Sequence, residues 1–163
     1  MPIDVGTQVQ DFTVLKATGD KVEAFKLSEN LGKQALVLAF FPLAFTGVCT
    51  TEMCTFRDSI AAFNDLKGSV YGVSVDSPFT QNQFIAKEKL NFPMLSDFNR
   101  ELVSAFGVKR EQPIGPPPGL LGVANRSVFV LDKGGKVAYR WFSDNPKDLP
   151  PFDEVKAALA KLN

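Results

Sequence analysis

Every residue from Ala35 to Phe41 is apolar, and the run is bounded by Gly32 and Pro42. A strand with one wet face alternates apolar and polar residues, so an unbroken run of this length reads as a central strand covered on both faces. The chain then turns at Pro42 and enters a helix at about Thr46. From Thr46 to Leu66 the apolar positions Met53, Phe56, Ile60, Phe63 and Leu66 recur at three- and four-residue spacing, an amphipathic helix closed by Asn64-Asp65 and Lys67-Gly68. Val70 to Val75 is the next strand. A strand–helix–strand unit requires parallel pairing by a right-handed crossover. That single unit constrains the chain to the α/β class.

The flanking stretches extend the same sheet. Residues 1–11 are polar and irregular; Phe12 to Leu15 and Val22 to Leu27 are short alternating runs around Thr18-Gly19-Asp20, an N-terminal hairpin pattern. Ser28 is expected to cap a brief helical turn ending at Gly32. Asp76-Ser77-Pro78 opens a helix that runs to about Lys89, Phe92 to Leu95 reads as a short strand, and Asn99 to Phe106 as a short helix closed by Gly107. Residues 107–122 hold Pro113, Pro116, Pro117 and Pro118 with several glycines and exclude regular structure. Ser127 to Leu131 and Val137 to Trp141 flank Asp132-Lys133-Gly134-Gly135, a second hairpin, and a final amphipathic helix covers about Phe152 to Lys161. The sum is a mixed central sheet with helices on both faces.

With 163 residues, no repeat and no low-complexity linker, residues 1–163 are expected to form one domain. Lys and Arg number 18, balanced by 18 Asp and Glu, so neither nucleic acid nor an anionic membrane would be drawn by long-range attraction. No basic segment followed by an apolar stretch opens the chain, and the run Ala35–Phe45 is far too short to span a bilayer. A soluble, reducing, cytoplasmic setting is the expectation. Fifteen phenylalanines imply a bulky aromatic core and leave room for an apolar interface. The chain has no histidine, which rules out a zinc site, a Ser-His-Asp triad and a Cys-His dyad. No cofactor or metal is expected.

Both cysteines, Cys49 and Cys54, fall in the helix that follows the central strand. A thiol in a first helical turn meets unpaired backbone N–H groups and the positive end of the helix dipole, which favour an anion. Thr46 stands where an N-cap would. Cys49 therefore has two readings, a reactive thiolate or a small buried hydrophobe. On an intact helix Cys49 and Cys54 have Cα atoms roughly 8.5 Å apart. A disulfide wants less than about 7 Å, so the pair can bond only if the first turns unwind.

Pro42-Leu43-Ala44-Phe45-Thr46-Gly47-Val48-Cys49 resembles the peroxiredoxin signature P-x-x-x-T-x-x-C, and Thr50-Thr51-Glu52 continues a common version of it. The likeness extends to Gly72–Asp76 and Arg126–Asp132. A second cysteine five residues on is similar to the bacterioferritin-comigratory, or Q-type, atypical two-cysteine members. Phe40–Gly47 is nearer the one-cysteine alkyl hydroperoxide reductase E type. The resemblance implies a thioredoxin-like fold and a peroxidase of hydrogen peroxide and organic hydroperoxides. Cys49 would be the peroxidatic thiolate, Thr46 would hydrogen-bond thiolate and peroxide, Pro42 would shield the intermediate, and Arg126 would hold positive charge beside the sulfur. Cys54 would resolve the Cys49 sulfenic acid to an intramolecular disulfide, recycled by thioredoxin or a glutaredoxin-like reductant. Monomer and homodimer both fit.

The residues themselves support Arg126, a charge opening the apolar strand Val128–Leu131 where burial without an anion would be costly; the competing reading is an edge charge reaching water. Cys54 could instead be a packed residue on the inner face of the helix. Glu52 either pairs with an arginine in the site or only favours the helix start. Arg57 and Arg140 read as surface or supporting charges, and the loop 107–122 as an edge of the site, a dimer contact or plain surface. A thiol–disulfide oxidoreductase on the same fold would normally show C-x-x-C. A redox-sensing or chaperone-like scaffold is the non-enzymatic rival.

Overall fold

The computed structural model describes residues 1–162. Among them, seven strands form one sheet: β1 Thr13–Ala17, β2 Val22–Lys26, β3 Ala35–Phe40, β4 Gly68–Ser74, β5 Met94–Ser96, β6 Arg126–Leu131 and β7 Val137–Ser143, in the order β2-β1-β5-β4-β3-β6-β7. β3 pairs with β4 and β4 with β5 in parallel, while the two hairpins add antiparallel strands at the two edges. The helices are α1 Gly47–Asp58, α2 Ile60–Asp65, α3 Pro78–Glu88, α4 Glu101–Ala105 and α5 Phe152–Ala160. The mixed sheet with helices on both faces is the architecture the sequence implies.

All six residues of β3 are buried, and they divide between two cores. Ala35, Val37 and Ala39 join α1, α2, α3 and α5 on one face; Leu36, Leu38 and Phe40 join α4 and the irregular segments on the other. The two-residue period of a strand makes this division automatic. Phe25, Phe40, Phe41, Phe56, Phe63, Phe84, Phe106 and Phe129 are fully buried. At roughly 2 kcal/mol per buried ring, they place just over half of the fifteen phenylalanines in the core, while Phe45, Phe79, Phe98 and Phe142 are exposed. Gly72 lets α1 sit close to the sheet, because a Cβ there would stand 3.3 Å from Met53 Sδ and 3.2 Å from Met94.

Two local expectations fail. The helix expected from Thr46 to Leu66 breaks at Ser59, whose φ of −104° and ψ of 3° leave helical geometry. Across the break the rings of Phe56 and Phe63 pack in one core, with centroids 5.4 Å apart. Ser28 does not cap its turn but lies inside a short 3-10 segment, Leu27–Asn30. Its hydroxyl donates to Asp11 Oδ2 at 2.8 Å, an acceptor distant in sequence. Smaller shifts sit at element ends, such as β5 starting after Pro93, which lacks an N–H for the ladder. No helix of the described residues is long and apolar enough to cross a membrane.

Candidate active site

The site joins one face of α1 to the first residue of β6. Cys49, Glu52, Met53 and Phe56 are buried at i, i+3, i+4 and i+7, the stripe α1 turns toward the sheet. On β6, Val128 and Val130 face that same core, so the strand period aims Arg126 there as well. β6 pairs directly with β3, whose end delivers the chain to α1.

Arg126 is only 1% exposed. One terminal nitrogen donates to Glu52 Oε2; the other donates to Cys49 Sγ at 3.2 Å and to the Pro146 carbonyl at 3.0 Å. Burial disfavours the guanidinium charge, but Glu52 and the Cys49 sulfur outweigh it and hold the pKa above the usual arginine value. Glu52 is pushed up to about 7 because burial penalises its charge more than Arg126 favours it. Arg126 Nε and Glu52 Oε1 are both buried with no hydrogen-bond partner.

The loop between β3 and α1 is an arch under restraint. Pro42 is buried at its first bend, and Phe45 holds a left-handed φ of 68°, which is uncommon without glycine. The Phe45 ring leans on Phe84 of α3, centroid to centroid 5.1 Å. Asp76, just after β4, accepts the Ala44 N–H at 2.8 Å and the Ser74 hydroxyl at 2.7 Å. Buried Gln81 donates to the same Ser74 oxygen at 3.0 Å. Thr46 takes the N-cap position with extended backbone, but its side chain caps no N–H. Its hydroxyl instead donates to the Leu43 carbonyl at 2.8 Å. The first-turn N–H groups of α1, Cys49's included, are thus left without that cap beside the Cys49 sulfur.

The structure therefore brings Cys49, Glu52 and Arg126 into direct contact, with Pro42 and Thr46 in the adjoining arch. The arginine partner of Glu52 left open by the sequence is Arg126. Cys54 lies apart: α1 is helical through both cysteines, both are free, and Cys54 is half-buried on another face. Its thiol donates to Glu88 Oε2 of α3 at 3.6 Å. Arg57 and Arg140 bond elsewhere, Arg57 to Asp58 and the Glu88 carbonyl, Arg140 to Asp4 and the Pro2 carbonyl. The Pro/Gly loop reaches the rim through Arg110, which donates to the Asp144 carbonyl at 2.6 Å, two residues before Pro146. Asp76 and Pro146 escape sequence reading. The Pro146 contact is a backbone carbonyl and carries no residue-type signal, while Asp76 looks like an ordinary loop aspartate before a helix. Among the described residues, no group of three His, Cys, Asp or Glu side chains converges as metal ligands.

A buried thiol facing an arginine at a strand–helix junction is the arrangement of a thiol-based redox enzyme. The family model described as the AhpC/TSA family matches residues 5–140. Peroxiredoxin Bcp of Bacillus subtilis is 38% identical over 149 residues, covering 91% of this chain and 90% of the relative. Peroxidoxin BcpB from Mycobacterium tuberculosis superposes with a TM-score of 0.83 at 32% identity, covering 99% of each chain. Peroxiredoxin Q of Xanthomonas campestris gives 0.78 at 28% identity, covering 92% of this chain and 90% of that one. The chain belongs to the AhpC/TSA family of peroxiredoxin enzymes, and its likeness to Bcp and to peroxiredoxin Q supports the bacterioferritin-comigratory, Q-type branch on a thioredoxin-like fold.

Proposed function

We propose that Cys49 is the peroxidatic residue and that the chain reduces hydrogen peroxide and organic hydroperoxides. The observation that carries this reading is the Arg126 terminal nitrogen 3.2 Å from Cys49 Sγ, both residues buried beside an arch that is exposed at Phe45 and Thr46. The thiolate attacks the nearer peroxide oxygen, the O–O bond breaks, Cys49 becomes a sulfenic acid, and the other oxygen leaves as water or an alcohol after taking a proton. Arg126 offsets the charge that passes from sulfur to the leaving oxygen, because a guanidinium presents several fixed donors at once. Its unpaired Nε is a further donor in the same buried space.

Thr46 has already given its hydroxyl proton to Leu43. Its oxygen is therefore an acceptor, suited to holding the O–H of a hydroperoxide rather than donating to the sulfur. Pro42, buried at the first bend of the arch, shields the intermediate with a ring that has no N–H to attract water. Cys54 then resolves the sulfenic acid, after the start of α1 unwinds, to an intramolecular disulfide. A thioredoxin or glutaredoxin-like dithiol protein reduces it.

The deciding experiment is stopped-flow oxidation of the reduced protein by hydrogen peroxide, read by the single Trp141, which packs against the same core as Cys49. A second-order rate constant orders of magnitude above that of free cysteine at matched pH is expected. A rate no faster than free cysteine would end the peroxidase reading.

A further inference from the structure

The first half of α1 is held to β6 by one side chain, Arg126, through Cys49 and Glu52, while its own backbone supports it weakly. Gly47, Val48, Thr50 and Thr51 give its start a low helix propensity. The hydroxyls of Thr50 and Thr51 fold back onto the carbonyls of Thr46 and Gly47, bonds that slightly weaken and bend a helix. Neither a first-turn carboxylate nor a side-chain cap supports that start.

The last turn is fastened to the end of α3. Arg57 donates to the Glu88 carbonyl at 2.6 Å, Asn91 donates to the Arg57 carbonyl at 3.2 Å, and Phe56 packs edge-on against Phe92 and Phe152. Cys54 belongs to this fastened half, its thiol aimed at Glu88 Oε2. When the helix start unwinds, Cys49 is the sulfur that travels, and Cys54 waits beside a carboxylate.

We propose that Glu88 is the base that takes the Cys54 proton as that sulfur attacks the Cys49 sulfenic acid. The inference rests on the resolving role of Cys54 given above. In the step, a Cys54–Cys49 sulfur–sulfur bond forms and the Cys49 sulfur–oxygen bond breaks. The Cys54 sulfur is oxidised and the Cys49 sulfur reduced. The thiol proton passes to Glu88 and then to the departing hydroxide, which leaves as water and restores the carboxylate. No outside oxidant is needed.

The need for a base follows from the surroundings of Cys54. Burial, then Glu88 and Asp58, raise the thiol pKa, and Arg57 opposes them without prevailing. A thiol kept protonated in this way reacts slowly unless the proton has a receiver within reach. The same protonation keeps Cys54 from competing with Cys49 for peroxide.

The test is a single turnover with one equivalent of hydrogen peroxide, acid-quenched at intervals, with sulfenic acid and disulfide resolved by intact mass. In Glu88→Gln the passage from sulfenic acid to disulfide is expected to slow roughly a hundredfold near neutral pH. The deficit should close as pH rises through the Cys54 titration, where bulk hydroxide replaces the missing base. Glu88→Asp, which keeps a carboxylate, should recover part of the rate. The substitution leaves the backbone tie from Arg57 untouched, so a loss of the last turn is not the cause of any slowing. Disulfide formation at the wild-type rate or faster in Glu88→Gln, or a deficit unchanged at every pH, overturns the role of Glu88 alone. A wild-type protein that forms sulfenic acid but no Cys49–Cys54 disulfide overturns the resolving reading and this inference with it.

Discussion

Arg126 and Cys49, 77 positions apart in the chain, meet at 3.2 Å because β6 lies beside β3 and its first residue shares a face with Val128 and Val130. The same guanidinium holds Glu52 and the Pro146 carbonyl, so one side chain ties α1, β6 and the loop before α5 together. Chemistry and structure are therefore hard to separate at this residue.

Arg126→Lys should show that dependence. A lysine gathers its donors on a single nitrogen, whereas Arg126 reaches Glu52 from one terminal nitrogen and the sulfur and the Pro146 carbonyl from the other. The second-order rate of Cys49 oxidation is expected to fall roughly a hundredfold or more, the range seen when one charge-stabilising donor is removed. Stopped-flow oxidation measures it. A rate within a factor of two or so of wild type would remove Arg126 from the chemistry.

Glu52 makes stability depend on pH. Its folded pKa is about 7 against an ordinary value of 4.5, so between those values the folded protein holds a proton that the unfolded chain has released. Stability from this group is fully present below the lower value and is lost as pH rises through the upper one, by on the order of 1–3 kcal/mol. Glu52→Gln removes the titrating group, so its stability should fall less across that window. Denaturant midpoints for both proteins at a series of pH values decide the matter, and parallel slopes would refute it.

Cys54→Ser separates the two thiols. Oxidation of Cys49 should proceed, while steady-state turnover with thioredoxin stalls at the sulfenic acid, detectable by a sulfenic-acid trap. Full turnover in this variant would place resolution elsewhere, with an external thiol or a second copy of the chain.

Asp76 is expected to matter through the arch alone. Asp76→Ala strips the acceptor from the Ala44 N–H and the Ser74 hydroxyl, at a cost of roughly 1.5–3 kcal/mol for hydrogen bonds to a charged group. A shifted arch misplaces Pro42 and Thr46, and Cys49 oxidation should slow by roughly ten- to a hundredfold. Asp76→Asn keeps one acceptor and should lose less of both. Thermal melts beside stopped-flow rates give the comparison, and a melt shift with an unchanged rate would confine Asp76 to stability.

What the sequence determined by itself is what local physics writes into it. The unbroken apolar run Ala35–Phe41, the turn at Pro42 and the helical spacing from Met53 to Phe63 specify a strand feeding a helix, and the motif around Cys49 carries the family. Burial of α1's stripe also follows from its period. Tertiary structure alone decided the partners. Glu52 had two readings until β6 placed Arg126 against it, and the hydroxyl of Thr46 turned to Leu43 instead of capping. Ser59 interrupts the helix between Phe56 and Phe63, whose rings pack into one core, a contact no local propensity records. Cys54 found Glu88 only because α3 ends beside α1. Contacts of this kind depend on sheet register and crossover, which join residues far apart in sequence. The Cys49 thiol was legible from its neighbours in the chain; its charge partner and the base proposed for Cys54 came from neighbours in space.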